Sequence, residues 1–169
     1  MSKLLVVCIE SELTKSDHRY IQSLLKKIYQ IDSNIKLQFL TLKGKDNYNK
    51  DNTIKRIEKE LKPSRHDEKH VIYCLDTDNY LEHEIVNRNK QIEEFCEQHN
   101  YDLMWFCKNI EEVLLGRSVS NSDKLKESQK FLTNIRKFVV VEAKFKQNEQ
   151  PKEKTSNLLN IFDKYLERL

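Results

Sequence analysis

Lys3-Leu-Leu-Val-Val-Cys-Ile9, followed at once by Glu10, is the stretch on which the fold turns. The unbroken apolar run from Leu4 to Ile9 has the length of a strand, and its Val and Ile residues suit a pleated surface. An apolar run without alternation marks a strand covered on both faces, the habit of parallel sheets. Outward from it, strand and helix signals take turns. A helix follows, with Thr14, Ser16 and Asp17 as candidate caps and Tyr20, Ile21, Leu24, Leu25 and Ile28 as its apolar side. Ile35 to Leu42 alternates, placing Ile35, Leu37 and Phe39 on one face. Asp51 opens a second helix carrying Ile54, Ile57 and Leu61, and Pro63 ends it. Val71-Ile-Tyr-Cys-Leu75 reads as a third strand, fully buried, and Leu103 to Cys107 as a fourth. Between them lies a helix bearing Ile85, Ile92, Phe95 and Cys96. The expected fold is α/β, a mainly parallel four-stranded sheet with helices on both faces.

After Asn109 the pattern changes. Ile110 to Leu115 reads as a short helix and Ser118 to Ser122 as a polar loop. A helix then carries Leu125, Leu132 and Ile135, and Phe138 to Val141 continues it or forms a short strand. Gln147 to Thr155 is a polar linker, and a final helix from Ser156 shows Leu158, Leu159, Phe162, Tyr165, Leu166 and Leu169 at helical spacing. Residues 1–116 are therefore expected to form the α/β core, and 117–169 C-terminal helices packed on the same domain. The core holds 18 basic and 20 acidic residues and the extension 12 and 7, so a positive helical flank beside an acidic core is one reading and solvated helix faces the other.

Composition narrows the function. With 34% charged and 38% hydrophobic residues over 169 positions, neither a disordered chain nor a membrane span is expected. The chain opens without a charged-then-apolar leader, and Cys8, Cys74, Cys96 and Cys107 lie scattered in apolar context, so buried thiols and a cytoplasmic location are expected. Gly44 and Gly116 stand alone, which removes the Walker loop and the GxGxxG turn.

Ligands of parallel α/β sheets sit beyond the carboxyl ends of the strands. There the first strand delivers Glu10, then Ser11 and Glu12. The third delivers Asp76-Thr77-Asp78-Asn79, and the fourth Lys108-Asn109 followed by Glu111 and Glu112. Clustered carboxylates repel unless protons or a cation intervene, and hard oxygen donors suit Mg²⁺, with Mn²⁺ acceptable. Glu10, Asp76 and Asp78 are the candidate metal ligands and catalytic residues; Glu12, Asn109, Glu111 and Lys108 are secondary candidates. Each has a plainer alternative. Acids after strands cap helices and form turns, Glu12 suits a surface, and Glu111 and Glu112 suit the first turn of a helix. Lys108, Arg117 and Lys124 suit either a nucleic-acid backbone or solvent.

A buried first strand ending in Glu10 and a later strand ending in Asp76-x-Asp78 resemble the Toprim domain of topoisomerases, primases and OLD-type nucleases. More narrowly, the layout is similar to RloB-like Toprim proteins of prokaryotic restriction and phage-defence loci, through Leu4-Leu-Val-Val-Cys-Ile-Glu10, Arg19-Tyr-Ile21, Asp76 and Asp78, and Asn109-Ile-Glu-Glu-Val-Leu-Leu115. Residues 3 to 115 carry the resemblance. It departs from the family at Ser11, where glycine is usual, in having no proline after Asn109, and in lacking a tryptophan near Val113. The resemblance implies metal-assisted phosphodiester hydrolysis, with Asp76 and Asp78 holding Mg²⁺ and Glu10 acting as ligand or general acid/base. It implies nucleic acid, DNA or RNA, as substrate and an ATPase or restriction protein as partner. The alternative, supported by the departures, is a non-catalytic Toprim-like module that binds such a partner.

Other constellations are weaker. His66 and His70 are four apart but straddle the approach to a strand, which argues against a zinc pair, and His18 suits a helix surface. Trp105 and Phe106 read as core of the fourth strand, and the aromatics make no RNA-stacking signature. A small-phosphate enzyme reusing the acidic edge is disfavoured by the shortage of glycine.

Overall fold

β1 (Lys3–Ile9), β2 (Ile35–Thr41), β3 (Glu68–Asp76) and β4 (Asp102–Phe106) lie in the order β2-β1-β3-β4, and every neighbouring pair is parallel. The structure is a computed structural model describing residues 1–12, 16–148 and 151–169. Side chains alternate across the sheet, so each strand feeds two cores. Leu5, Val7 and Ile9 join α1 (Ser16–Ile28) on one face, while Leu4, Val6 and Cys8 join α2 (Asp51–Leu61) and α3 (His83–Gln98) on the other. The chain runs from β1 to one side, then crosses back past β1 to β3. The crossover between β1 and β3 is therefore where the loops diverge and a crevice opens.

The remaining helices are α4 (Ile110–Leu115), α5 (Lys124–Thr133), α6 (Glu142–Phe145) and α7 (Leu158–Phe162). Phe131, Phe145, Leu158, Leu159 and Phe162 complete the α1-side core. Residues 155–157 run along the outer edge of β4. The Cys107 N–H donates to the Thr155 carbonyl (2.9 Å), the Trp105 N–H to Asn157 Oδ1 (2.8 Å), and Asn157 Nδ2 to the Leu103 carbonyl (2.9 Å). One asparagine side chain thus takes the place of a neighbouring strand and covers that edge.

Several elements differ from the sequence reading. Ser16 and Asp17 lie inside the first turn of α1, and Thr14 falls outside the described residues. On α5, Ser128 and Phe131 are buried while Leu125 and Leu132 are 50% and 37% exposed, so the apolar stripe expected there is not the packed one. Residues 138–141 form neither helix nor strand; Phe138 and Val140 instead pack against the α1-side core from an irregular segment. The final helix stops at Phe162; Leu166 is still buried, and Leu169 is exposed.

Cys8, Cys74, Cys96 and Cys107 are all buried and unpaired, and burial pushes the Cys96 thiol up to about 12. Among the described residues no helix is long and apolar enough to cross a membrane.

Candidate functional site

Ile9 pairs with Cys74, and Asp76 with Phe106, so Glu10 at the end of β1 and Asp76 at the end of β3 meet at the crossover. The third wall comes from the loop after β2. Gly44 adopts φ 114°, a conformation side-chain residues rarely take, and its N–H donates to the Glu10 carbonyl (3.0 Å). That contact pins the loop across the end of β1 and turns Lys45 inward. Lys45 is only 5% exposed; its Nζ donates to Asp78 Oδ2 (2.9 Å) and to the Asp76 carbonyl. Asp78 itself is left-handed (φ 56°) and is held by its N–H to the Lys108 carbonyl (2.9 Å), which prolongs the β3–β4 pairing beyond the strands.

Glu10, Asp17 and Asp76 line one small cavity together with Ile21, Cys74, Phe106 and Ile110. Its volume is about 10 Å³, close to the room one water needs. Asp76 Oδ1 accepts the Ile110 N–H (3.1 Å) at the first turn of α4, and the Ser11 hydroxyl donates to Asp17 Oδ2 (2.5 Å). Glu10 Oε2 is buried and takes no hydrogen bond among the described residues. Glu111, 1% exposed, reaches the Ser16 hydroxyl (3.5 Å) with one oxygen and Lys124 Nζ (3.5 Å) with the other.

The electrostatics follow from this crowding. Burial, then the charges of Asp17, Glu10, Glu111 and Asp78, push the Asp76 carboxyl well above the usual carboxylate range. Burial likewise raises Glu10; Lys45 and the Asp76 backbone amide pull it back, and Asp78 and Asp17 oppose them. Burial raises Glu111, against the pull of Lys124. The edge therefore stores negative charge that a proton or a cation would relieve.

Of the expected residues, Glu10 and Asp76 share the cavity, whereas Asp78 stands beside it, tied to Lys45. Glu12 is exposed. Asn109 caps α4, accepting the Glu112 N–H (2.9 Å) on Oδ1, and Lys108 Nζ lies 3.7 Å from Glu112. Arg117 pairs with Glu127 (2.5 Å). The reading from sequence missed Lys45 and assigned Asp17 only a capping role. Lys45 had a signal: it follows the second strand by a few residues, beside the one glycine before Gly116, at a strand end whose first charges are cations and not acids.

Whether these residues suit a divalent ion turns on two observations. The orphaned buried Glu10 Oε2 and the all-oxygen donors beside a water-sized cavity suit Mg²⁺ or Mn²⁺. No three His, Cys, Asp or Glu side chains among the described residues stand ready-arranged as a ligand shell, so binding would draw Glu10, Asp17 and Asp76 closer. Compared with protein-family models, with curated proteins and with solved structures, the chain finds no match.

Proposed function

We propose that the acidic edge binds Mg²⁺ or Mn²⁺ and that the protein is a metal-dependent, Toprim-like nuclease acting on DNA or RNA. The observation that carries this reading is the pairing of Glu10 and Asp76 on one water-sized cavity at the crossover, with Glu10 Oε2 lacking a partner among the described residues. Glu10, Asp76 and Asp17 would hold the ion, with Asp78 beside them. A bound ion would polarise a phosphodiester and neutralise charge as the bond is cleaved. The chain's own contribution is placement. Ile110 N–H fixes the Asp76 carboxyl, and the Gly44 contact fixes the loop from which the Lys45 ammonium reaches Asp78. Burial raises the proton affinity of Glu10, which suits it to hold a proton at the cavity. The resemblance to RloB-like proteins extends the proposal to a role in phage defence beside an ATPase or restriction partner, and the four buried thiols suit the cytoplasm.

A second reading is favoured by Lys45. Its ammonium already neutralises Asp78, and Asp76 already serves α4, so the edge could be a self-sufficient scaffold of a non-catalytic binding module.

Melting curves separate the two. At a metal concentration a hundred times Kd, mass action adds about 2.7 kcal/mol, or roughly 5–10 °C for a chain of this size. The nuclease reading expects that shift with Mn²⁺ or Mg²⁺, its loss in Asp76→Asn, and metal-dependent cleavage of single- or double-stranded substrates. Absence of both the shift and the cleavage leaves the binding module.

A further inference from the structure

A cleft of about 560 Å³ opens on the α3 side of the sheet and shares Lys45, Asp76 and Thr77 with the acidic edge. Its size falls in the range of small-molecule pockets. Leu75, Leu103 and the half-buried Trp105 line it from the ends of β3 and β4. Tyr80 and Leu81 line it from the loop after Asp78, and Val86 from the first turns of α3. Leu81 and Val86 are 81% and 43% exposed, an unusual display of apolar side chains beside a charged edge. The lining is mixed in charge, with Lys45 and Lys90 as cations, Asp76 and Glu93 as carboxylates, and Asn89 and Asn148 as amides. Asn89 gives Nδ2 to the Thr77 carbonyl (2.9 Å), which leaves Oδ1 to accept, and Lys90 adds a cation.

The geometry points to this cleft as the seat of one unpaired nucleobase. A flat aromatic wall with apolar neighbours stacks any base, because every base offers a π-face. Asn89 Oδ1 offers an acceptor to an exocyclic amino group. The decisive feature is that Lys45 and Asp76 also line the cleft, so a nucleoside seated against Trp105 would carry its sugar-phosphate toward the strand ends and the Lys45 ammonium, while the Asp76 carboxyl faces the α1-side cavity. The inference rests on the proposed function for what happens to the phosphate, and on the cleft alone for the base. It assigns single-stranded or frayed nucleic acid, with an exposed base, as the substrate class.

Trp105 is the only tryptophan, so its fluorescence reads the cleft directly. Adenosine, uncharged and titrated in EDTA, tests the base site without metal. Saturable quenching by adenosine and none by ribose is expected. The double variant Leu81→Ser, Val86→Ser, altered at exposed positions and checked for an unchanged melting temperature, should weaken binding about tenfold, which corresponds to roughly 1.4 kcal/mol. With Mg²⁺ present, a four-nucleotide single strand should quench more tightly than adenosine, and a blunt hairpin duplex less tightly than the single strand. Absence of quenching by adenosine, equal quenching in the double variant, or equal affinity for duplex and single strand overturns the assignment. Quenching by adenosine without any metal-induced melting shift keeps the base site and overturns the nuclease reading; a melting shift without quenching does the reverse.

Discussion

The two ends of the sheet handle charge in opposite ways. At the amino end, Glu68 meets Lys3 (3.8 Å) and His70 (3.5 Å), and Asp102 meets Lys164 (2.5 Å) and the Tyr165 hydroxyl. Lys3 also donates to the Tyr165 carbonyl (2.9 Å), so the C-terminal segment is fastened to β1 and β4 by groups that balance. At the carboxyl end, Glu10, Asp17, Asp76, Asp78 and Glu111 press on one another, and Lys45 and Lys124 answer only Asp78 and Glu111 directly. One end spends its charges on cohesion. The other keeps an excess that lowers stability and waits for a counter-charge, which is how a binding site differs from a fastening on the same scaffold.

Substitutions can break that contrast. The largest effect is expected from Lys45→Met, which keeps length but leaves Asp78 and the Asp76 carbonyl without their donor. Breaking a largely buried pair costs about 3 kcal/mol, less here because Asp78 is partly exposed. Urea unfolding should show that loss, and a loss below the error of the measurement would mean the ammonium is not needed to hold the edge. Next comes Asp102→Ala at the balanced end, where Tyr165 and Lys164 lose a charged acceptor. A loss of about 1.5 kcal/mol is expected, independent of added Mg²⁺. Dependence on Mg²⁺ would show that the two ends are not separate.

The smallest effect sharpens the comparison through pH. Native Asp76 and Glu10 bind protons more tightly than in the unfolded chain, where carboxyls titrate near pH 4. Between that value and their raised native values the folded state holds more protons, so stability falls as pH rises through this window and stays low above it. The metal-free protein should therefore unfold at higher urea at pH 5 than at pH 8. Asp76→Asn should flatten the slope and leave stability at pH 8 equal or up to about 1 kcal/mol higher, since Asn still accepts the Ile110 N–H. A steeper slope in the variant would reverse the assignment of strain to Asp76.

Much of this architecture was legible because it is written in local patterns. Leu4 to Ile9 and Val71 to Leu75 are short apolar runs without alternation, of strand length and with β-branched residues, which suits a strand covered on both faces, and all four strands are parallel neighbours. Glu10 and Asp76 followed from the end-of-strand rule. Lys45 did not, since its place depends on a turn that Gly44 makes possible and on a hydrogen bond to the far side of β1. Asp17 was legible as a helix-start acid but not as a wall of the cavity, because that needs the tilt of α1. The α5 stripe misled for a related reason. Leu125 and Leu132 are one heptad apart, yet the face that packs is set by Tyr20 on α1 meeting Phe131, rings 5.2 Å apart. The cleft beside Trp105 had no sequence signal, because it is made by spacing between elements and not by any one of them.

The Asn157 clasp on β4 also has a consequence in time. It sits 52 residues downstream of the Trp105 amide it satisfies. During synthesis at about 5–20 residues per second, β4 can emerge and pair with β3 roughly 3–10 s before its own cover leaves the ribosome. Through that interval the outer amides and carbonyls of Leu103 and Trp105 are open to any extended chain nearby, including the next copy on the same message. A change at Asn157 would thus be felt first as a lower yield of soluble newborn chains, and only second as a weaker finished fold.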